Sequence, residues 1–260
     1  MKVSEFKTAG KLITGLGAIK ALTDEMARLS IKDCAIVTDK GVSSSGLLDQ
    51  LLTLLPYSPL LIIDDIPPEP EVNIIEDKLA VLREKQVDGI IALGGGSAID
   101  SAKVLAATYD HAGPLSELFG ENTLSKRRLP LIVIPTTAGT GSEVTNIAIL
   151  SDPIAQMKKG IVSPCLLPDV AIVAPEMTKT CPQSITAASG IDAFVHALEA
   201  YISVNASPIT DALAEKALKL IFNSLLHAYN NGENLSARED MATGSLMAGL
   251  AFGNAGVGAV

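Results

Sequence analysis

The stretch 88–103, DGIIALGGGSAIDSAK, constrains the fold more than any other part of the chain. Gly89-Ile90-Ile91-Ala92-Leu93 is a short unbroken apolar run, as a strand buried on both faces of a parallel sheet requires. The run breaks into Gly94-Gly95-Gly96-Ser97, and residues 98–108 are rich in helix formers. Strand, glycine turn and helix in that order present backbone N–H groups and a helix N-terminus to an anion. Three glycines remove the side chains that would hold a phosphate off the backbone, and they permit positive φ in the turn. Ser97 is expected as the N-cap of that helix, or as a hydroxyl donor to the same anion. The dinucleotide pattern G-x-G-x-x-G is only partly met. Gly94 and Gly96 fit, Ile99 stands where the third glycine belongs, and no acidic residue is obvious about 20 residues further on. Alone, the stretch reads either as a phosphate site at a helix N-terminus or as a plain tight turn between strand and helix.

A chain of 260 residues can bury a sizeable core in one large domain or two. With 48% hydrophobic and 19% charged residues it belongs with well-buried globular proteins rather than disordered ones. The net charge of −9 argues against nucleic acid as a partner, because a phosphate-binding face needs clustered Lys and Arg. Lys126-Arg127-Arg128 is the densest basic run, and it reads as a solvated turn. No apolar run approaches the ~20 residues of a membrane span. Glu5, Lys7 and Lys11 interrupt the N-terminal stretch, so a secretory signal is not expected. Cys34, Cys165 and Cys181 are too few, and odd in number, for a disulfide framework. A reducing cytoplasm is the expected setting, with the three thiols as buried apolar filler.

The remaining sequence alternates strand-like and helix-like stretches. Helix is expected at 16–30, strand at 34–38, helix at 45–54, strand at 60–63 and helix at 72–84. After the glycine turn, strands are expected at 129–134, 146–150 and 170–173. This alternation predicts a doubly wound parallel α/β sheet. From residue 178 onward strand-like runs cease, and amphipathic stretches at 184–203, 208–230 and 236–251 predict helices. We therefore expect an α/β dinucleotide-binding domain over 1–178 and an all-helical one beginning at 179.

Three places could carry chemistry. Gly94–Ser97 and Thr136–Ser142 each follow a buried strand, so both turns can lie at the carboxyl edge of one sheet, where open α/β sheets bind ligands. The hydroxyls of the second loop suit phosphate or ribose oxygens, or could simply satisfy the loop's own backbone. Asp39 ends a strand, where a carboxylate can accept hydrogen bonds from a ribose diol and repel a 2′-phosphate, favouring NAD over NADP. Spacing equally allows a turn aspartate that caps its own backbone. Asp192 and His196 are four residues apart, on one face of a helix, and suit a divalent metal such as iron or zinc. Two ligands do not make a stable site, so a helix cap and a core histidine explain them as well. His111 falls in a loop and His227 is expected to face a packed helix.

Together these places resemble the iron-containing (group III) alcohol dehydrogenases. The likeness spans nearly the whole chain and rests on GGGSAIDSAK at 94–103, LPLIVIPTTAGTGSEVT at 129–145, LLPDVAIVAPEMT at 166–178 and AASGIDAFVHALEAYIS at 187–203. It implies an NAD-dependent, metal-dependent oxidation of a short-chain primary alcohol to the aldehyde, or the reverse, in a cleft between the two domains. By that likeness Asp39 takes the adenosine ribose, and Gly95, Gly96 and Ser97 hold the pyrophosphate. Asp100, Thr136, Thr137 and Ser142 line the cofactor site, Lys158 is the cofactor-side lysine, and Asp192 and His196 are two of four metal ligands. The metal, Fe²⁺ or Zn²⁺, acts on the alcohol oxygen, and the hydride goes to NAD. A homodimer is implied as well. The family draws two more histidine ligands and a proton-relay histidine from beyond a segment like AFGNAGVGAV at 251–260. The 260 residues are therefore expected to match the first two-thirds of such an enzyme and to have little activity alone. Two other readings are a glycerol dehydrogenase or dehydroquinate synthase type of enzyme, and a nucleotide-binding protein without catalysis. The TTAGTGSE loop favours the alcohol dehydrogenase branch.

Overall fold

The computed structural model describes residues 4–256; residues 1–3 and 257–260, which include the end of the 251–260 segment, lie outside the described residues. The chain opens with β1 (Leu12–Thr14), α1 (Leu22–Arg28) and β2 (Cys34–Val37), then α2 (Lys40–Ser44), α3 (Leu47–Leu54), β3 (Leu61–Ile63) and α4 (Val72–Lys85). The anchor stretch supplies β4 (Gly89–Gly94) and α5 (Gly96–Thr108). There follow β5 (Gly120–Glu121), β6 (Leu131–Pro135), β7 (Ile147–Asp152), β8 (Met157–Val162) and β9 (Val170–Val173). Three helices complete the described chain: α6 (Gln183–Ile202), α7 (Pro208–Asn230) and α8 (Leu235–Ala255).

Six strands form one parallel sheet in the order β1-β9-β6-β4-β2-β3. Its strands are apolar on both faces. Ala35, Val37, Ile90, Ala92, Leu131 and Val133 pack toward α4 and α5. The alternate residues Cys34, Ile36, Ile91, Leu93, Ile132 and Ile134 pack toward α1 and α3. Each Ile or Leu fully buried this way stabilises the fold by roughly 1.5–3 kcal/mol, which is why helices must cover both faces. The strand order reverses between β2 and β4, so the carboxyl ends of these two strands open onto a crevice. A hairpin of β7 and β8, with β5 beside β8, forms a second small sheet.

Helix α7 begins on a capping box, with Ser207 and Thr210 each satisfying the other's backbone N–H and Pro208 at the first helical position. The three last helices pack through small residues, among them Ala193, Ala197, Ala217, Ala228 and Ala248. Small side chains let the helix axes approach closely. Among the described residues no helix is long and apolar enough to cross a membrane.

The expected doubly wound sheet and the following helices are present, with several local differences. Residues 18–21 form a 3-10 turn before α1, and 45–54 is preceded by a separate short helix, α2. Strands β1, β5 and β8 were not expected; they are short or polar, and β8 reads MKKGIV with only Ile161 buried. Arg127 is not in a solvated turn: its side chain is largely buried and pairs with Asp169 at 2.5 Å. His227 is exposed rather than packed. Of the three thiols only Cys34 is buried filler; Cys165 and Cys181 are half-buried.

Candidate functional site

The glycine turn after β4 differs from expectation in two ways. None of Gly94, Gly95 and Gly96 has positive φ. Their requirement is space instead: a Cβ on Gly94 would stand 2.7 Å from the Ala98 methyl, and one on Gly96 would stand 2.7 Å from the Thr140 methyl. The helix also begins earlier than expected. Gly95 is the N-cap, with no side-chain cap, so Ser97 lies inside the first turn and its Oγ accepts from the Glu69 N–H at 3.3 Å. The first-turn N–H groups of α5 thus have no side-chain cap to compete with an incoming anion.

Around this turn the structure gathers most of the expected residues. Asp39 follows β2 and caps α2, its Oδ1 accepting from Val42 N–H at 3.0 Å. Its other oxygen lies 3.4 Å from where a Gly94 Cβ would be. Asp39 thus caps its own turn, and it stands beside the glycine turn at the switch-point crevice. Thr137 lies against Gly95, and Thr136 is buried beside Gly94, whose carbonyl accepts its N–H at 3.0 Å.

A cavity of about 410 Å³ opens in front of the turn, within the roughly 300–1,000 Å³ of small-molecule sites. One side carries Gly96, Ser97, Asp100, Thr140 and Ser142, and the other carries Asp192, His196 and Phe252; Lys158, from β8, lines it too. Asp39, Gly95, Thr136 and Thr137 are not among its lining residues. They sit at or beside the turn, outside the cavity. Thr140 is one of the loop hydroxyls the sequence offered, whereas Glu69, Thr145 and Phe252 were missed, because they reach the cavity only through tertiary packing.

Below the cavity floor sits a buried charged group that the sequence did not announce. Lys103 is fully buried. Its ammonium lies 3.4 Å from Asp100 Oδ1 and donates to Thr145 Oγ1 at 3.1 Å and to the Ile147 carbonyl at 2.8 Å. Asp100 Oδ2 accepts from the Ile149 N–H at 3.0 Å. Burial pushes the Asp100 carboxyl up and the Lys103 ammonium down, and each charge opposes the other's shift. Glu143, buried nearby, is pushed up to about 7 by desolvation. Together these bonds tie α5 to the loop 136–145 and to β7, which holds the two sides of the turn in register.

Asp192 and His196 face each other on α6, with Nε2 to Oδ1 at 3.7 Å. The His196 ring packs on Phe252 of α8, centroids 4.4 Å apart, and its Nδ1 is buried without a hydrogen-bond partner. A carboxylate and an imidazole at one cavity wall fit a divalent cation as two of its donors. Among the described residues no group of three or more His, Cys, Asp or Glu is placed to hold one.

Comparison with known proteins decides the family. The family model for "Iron-containing alcohol dehydrogenase" matches residues 9–175, and that for "Fe-containing alcohol dehydrogenase family, C-terminal" matches 186–260. The chain belongs to the iron-containing alcohol dehydrogenase family. It is 46% identical over 252 residues to the long-chain-alcohol dehydrogenase 1 of Geobacillus thermodenitrificans, covering 95% of this chain and 63% of that one. A crystal structure of 1,3-propanediol oxidoreductase superposes with a TM-score of 0.94 at 38% identity, over 99% of this chain and 68% of that one. The sulfoacetaldehyde reductase of Bifidobacterium kashiwanohense, solved in complex with NAD⁺, superposes with a TM-score of 0.94 at 32% identity, over 99% and 69% of the two chains. The chain spans 62–66% of the length of four curated relatives it matches.

Proposed function

We propose that this chain carries the NAD site and two of the metal ligands of an alcohol dehydrogenase that interconverts a short-chain primary alcohol and its aldehyde. One observation carries the reading: a single cavity joins the uncapped N-terminus of α5 to the Asp192–His196 pair. Residues 1–178 form the dinucleotide-binding part and 179–260 begin the helical, metal-binding part. Gly95, Gly96 and Ser97 take the pyrophosphate on backbone N–H groups, and Asp39 accepts from the ribose and repels a 2′-phosphate. Thr136, Thr137 and Ser142 support the turn with their loop, and Asp100 anchors that loop from below. Lys158 supplies positive charge on the cofactor side. Asp192 and His196 hold the metal, iron first and zinc as the alternative, and Phe252 fixes the His196 ring.

When bound, NAD supplies the hydride acceptor and the divalent metal supplies Lewis acidity toward the substrate oxygen. The protein's own part is to orient both and to keep water from the space between them. A homodimer in the cytoplasm belongs to the same proposal. A second reading, nucleotide binding without turnover, is favoured by the two-donor metal pair.

Equilibrium dialysis of the purified chain with Fe²⁺ or Zn²⁺, and calorimetric titration with NAD and NADP, test both readings. NAD bound in preference to NADP, with metal uptake lost in Asp192→Ala and His196→Ala, is expected. NAD binding with no metal uptake would leave the second reading, and no binding of either nucleotide would end both.

A further inference from the structure

The loop from Pro67 to Glu71 crosses the mouth of the cavity, and Glu69 is its contact with both sides. Its backbone is in the left-handed region, at φ 53°. The Glu69 N–H donates to Ser97 Oγ on α5, and its carbonyl accepts from Ser151 Oγ on β7 at 3.2 Å. The Pro70 carbonyl accepts from the Ser151 N–H at 2.9 Å. The residue is thus pinned from two directions, between prolines that stiffen the loop. From that fixed backbone the carboxylate reaches Lys158 at 2.8 Å.

Among the described residues lining the cavity, Lys158 is the only Lys or Arg, while Glu69, Asp100 and Asp192 are the carboxylates. Asp100 is already matched by buried Lys103. The ammonium that an anionic ligand would recruit is therefore shared in advance with Glu69.

We propose that Glu69 sets the cavity's affinity for anionic ligands by competing with them for Lys158. The inference rests on the reading of this cavity as a dinucleotide site. Two effects act with the same sign. A phosphate and the Glu69 carboxylate contend for the same ammonium, and the carboxylate itself repels an anion beside it. Removing the charge without changing the shape should tighten binding. A residue that merely held Lys158 in place would act the other way, because its loss would weaken binding.

The test titrates the full chain by calorimetry, at low salt, with ADP-ribose, adenosine and inorganic pyrophosphate. Wild type, Glu69→Gln, Lys158→Met and the double variant are compared. Both side chains are more than half exposed, so the substitutions leave the core untouched. Glu69→Gln is expected to tighten ADP-ribose and pyrophosphate by about two- to five-fold, the range an exposed ion pair can carry. Adenosine, which is uncharged, should not respond, and the gain should vanish in the Lys158→Met background. Unchanged or weaker anion binding in Glu69→Gln overturns the proposal, and so does a gain that persists without Lys158. If pyrophosphate responds as expected while ADP-ribose does not bind, the inference stands and the dinucleotide reading falls. If the wild type and every variant bind neither anion, both fall.

Discussion

Gly141, in the loop after β6, and Gly249, in the middle of α8, meet backbone to backbone: a Cβ on Gly249 would stand 2.8 Å from the Gly141 Cα. This contact seats the last described helix on the α/β sheet. Through it Phe252, one turn further along α8, reaches the His196 ring. The cavity has its present walls because two chain segments more than a hundred residues apart carry no side chain at the point where they cross.

Gly249→Ala tests that seating. Alanine in a helix interior gains about 1 kcal/mol over glycine in intrinsic propensity. Here the added methyl meets Gly141 backbone, which cannot swing aside, and overpacking of that kind costs about 1–3 kcal/mol. The clash should win, lowering the urea midpoint. Gly253→Ala, one turn on, meets nothing nearer than the Thr145 methyl at 3.3 Å and should cost less or nothing. Equal midpoint shifts in the two variants would mean the close approach does not matter.

Gly96→Ala should weaken ADP-ribose binding by about tenfold, or roughly 1.4 kcal/mol. The methyl would stand 2.7 Å from the Thr140 methyl and 3.0 Å from its Oγ1, forcing the turn and the opposite loop apart. Thr140→Ala in the same background removes both atoms and should restore part of the loss. A double-mutant cycle measured by titration gives the coupling. Strict additivity would show that Gly96 is not held by Thr140.

Glu143 predicts a pH dependence of stability. Burial raises its carboxyl from 4.5 to about 7, so the folded chain holds this proton more tightly than the unfolded one. The stabilisation is complete below about pH 4.5 and is lost as pH rises through about 7, amounting to no more than a few kcal/mol at about 1.4 per pH unit. Urea midpoints at pH 5 and pH 8 should therefore differ more in the wild type than in Glu143→Gln, where this proton is absent. The same pH dependence in both would assign the effect to other groups.

Much of this molecule was legible as pattern. The apolar runs at β2, β4, β6 and β9, each followed by a turn or helix signal, left little choice but a parallel sheet covered on both faces. The periodic stretches after residue 178 gave three long helices to within a few residues, because burial of one helix face imposes its spacing directly on the sequence. The glycine turn, Asp39 and the Asp192–His196 pair were also visible, since each needs a particular residue type at a particular local position.

What could not be read locally was whatever depends on partners distant in sequence. Strand β8 is polar and largely open to solvent, and its residues carry no apolar run to betray it. Gly96 looked like a glycine that admits a phosphate and permits positive φ, and only the tertiary structure revealed that Thr140 occupies the space its side chain would take. Nothing in the sequence around Lys103 marks it as buried. Its burial beneath the cavity follows from where α5 packs against β7, and a charge can be held there only because Asp100, Thr145 and the Ile147 carbonyl converge on it. Local chemistry determined the elements and the candidate residues; long-range packing decided which of them face one another across a single cavity.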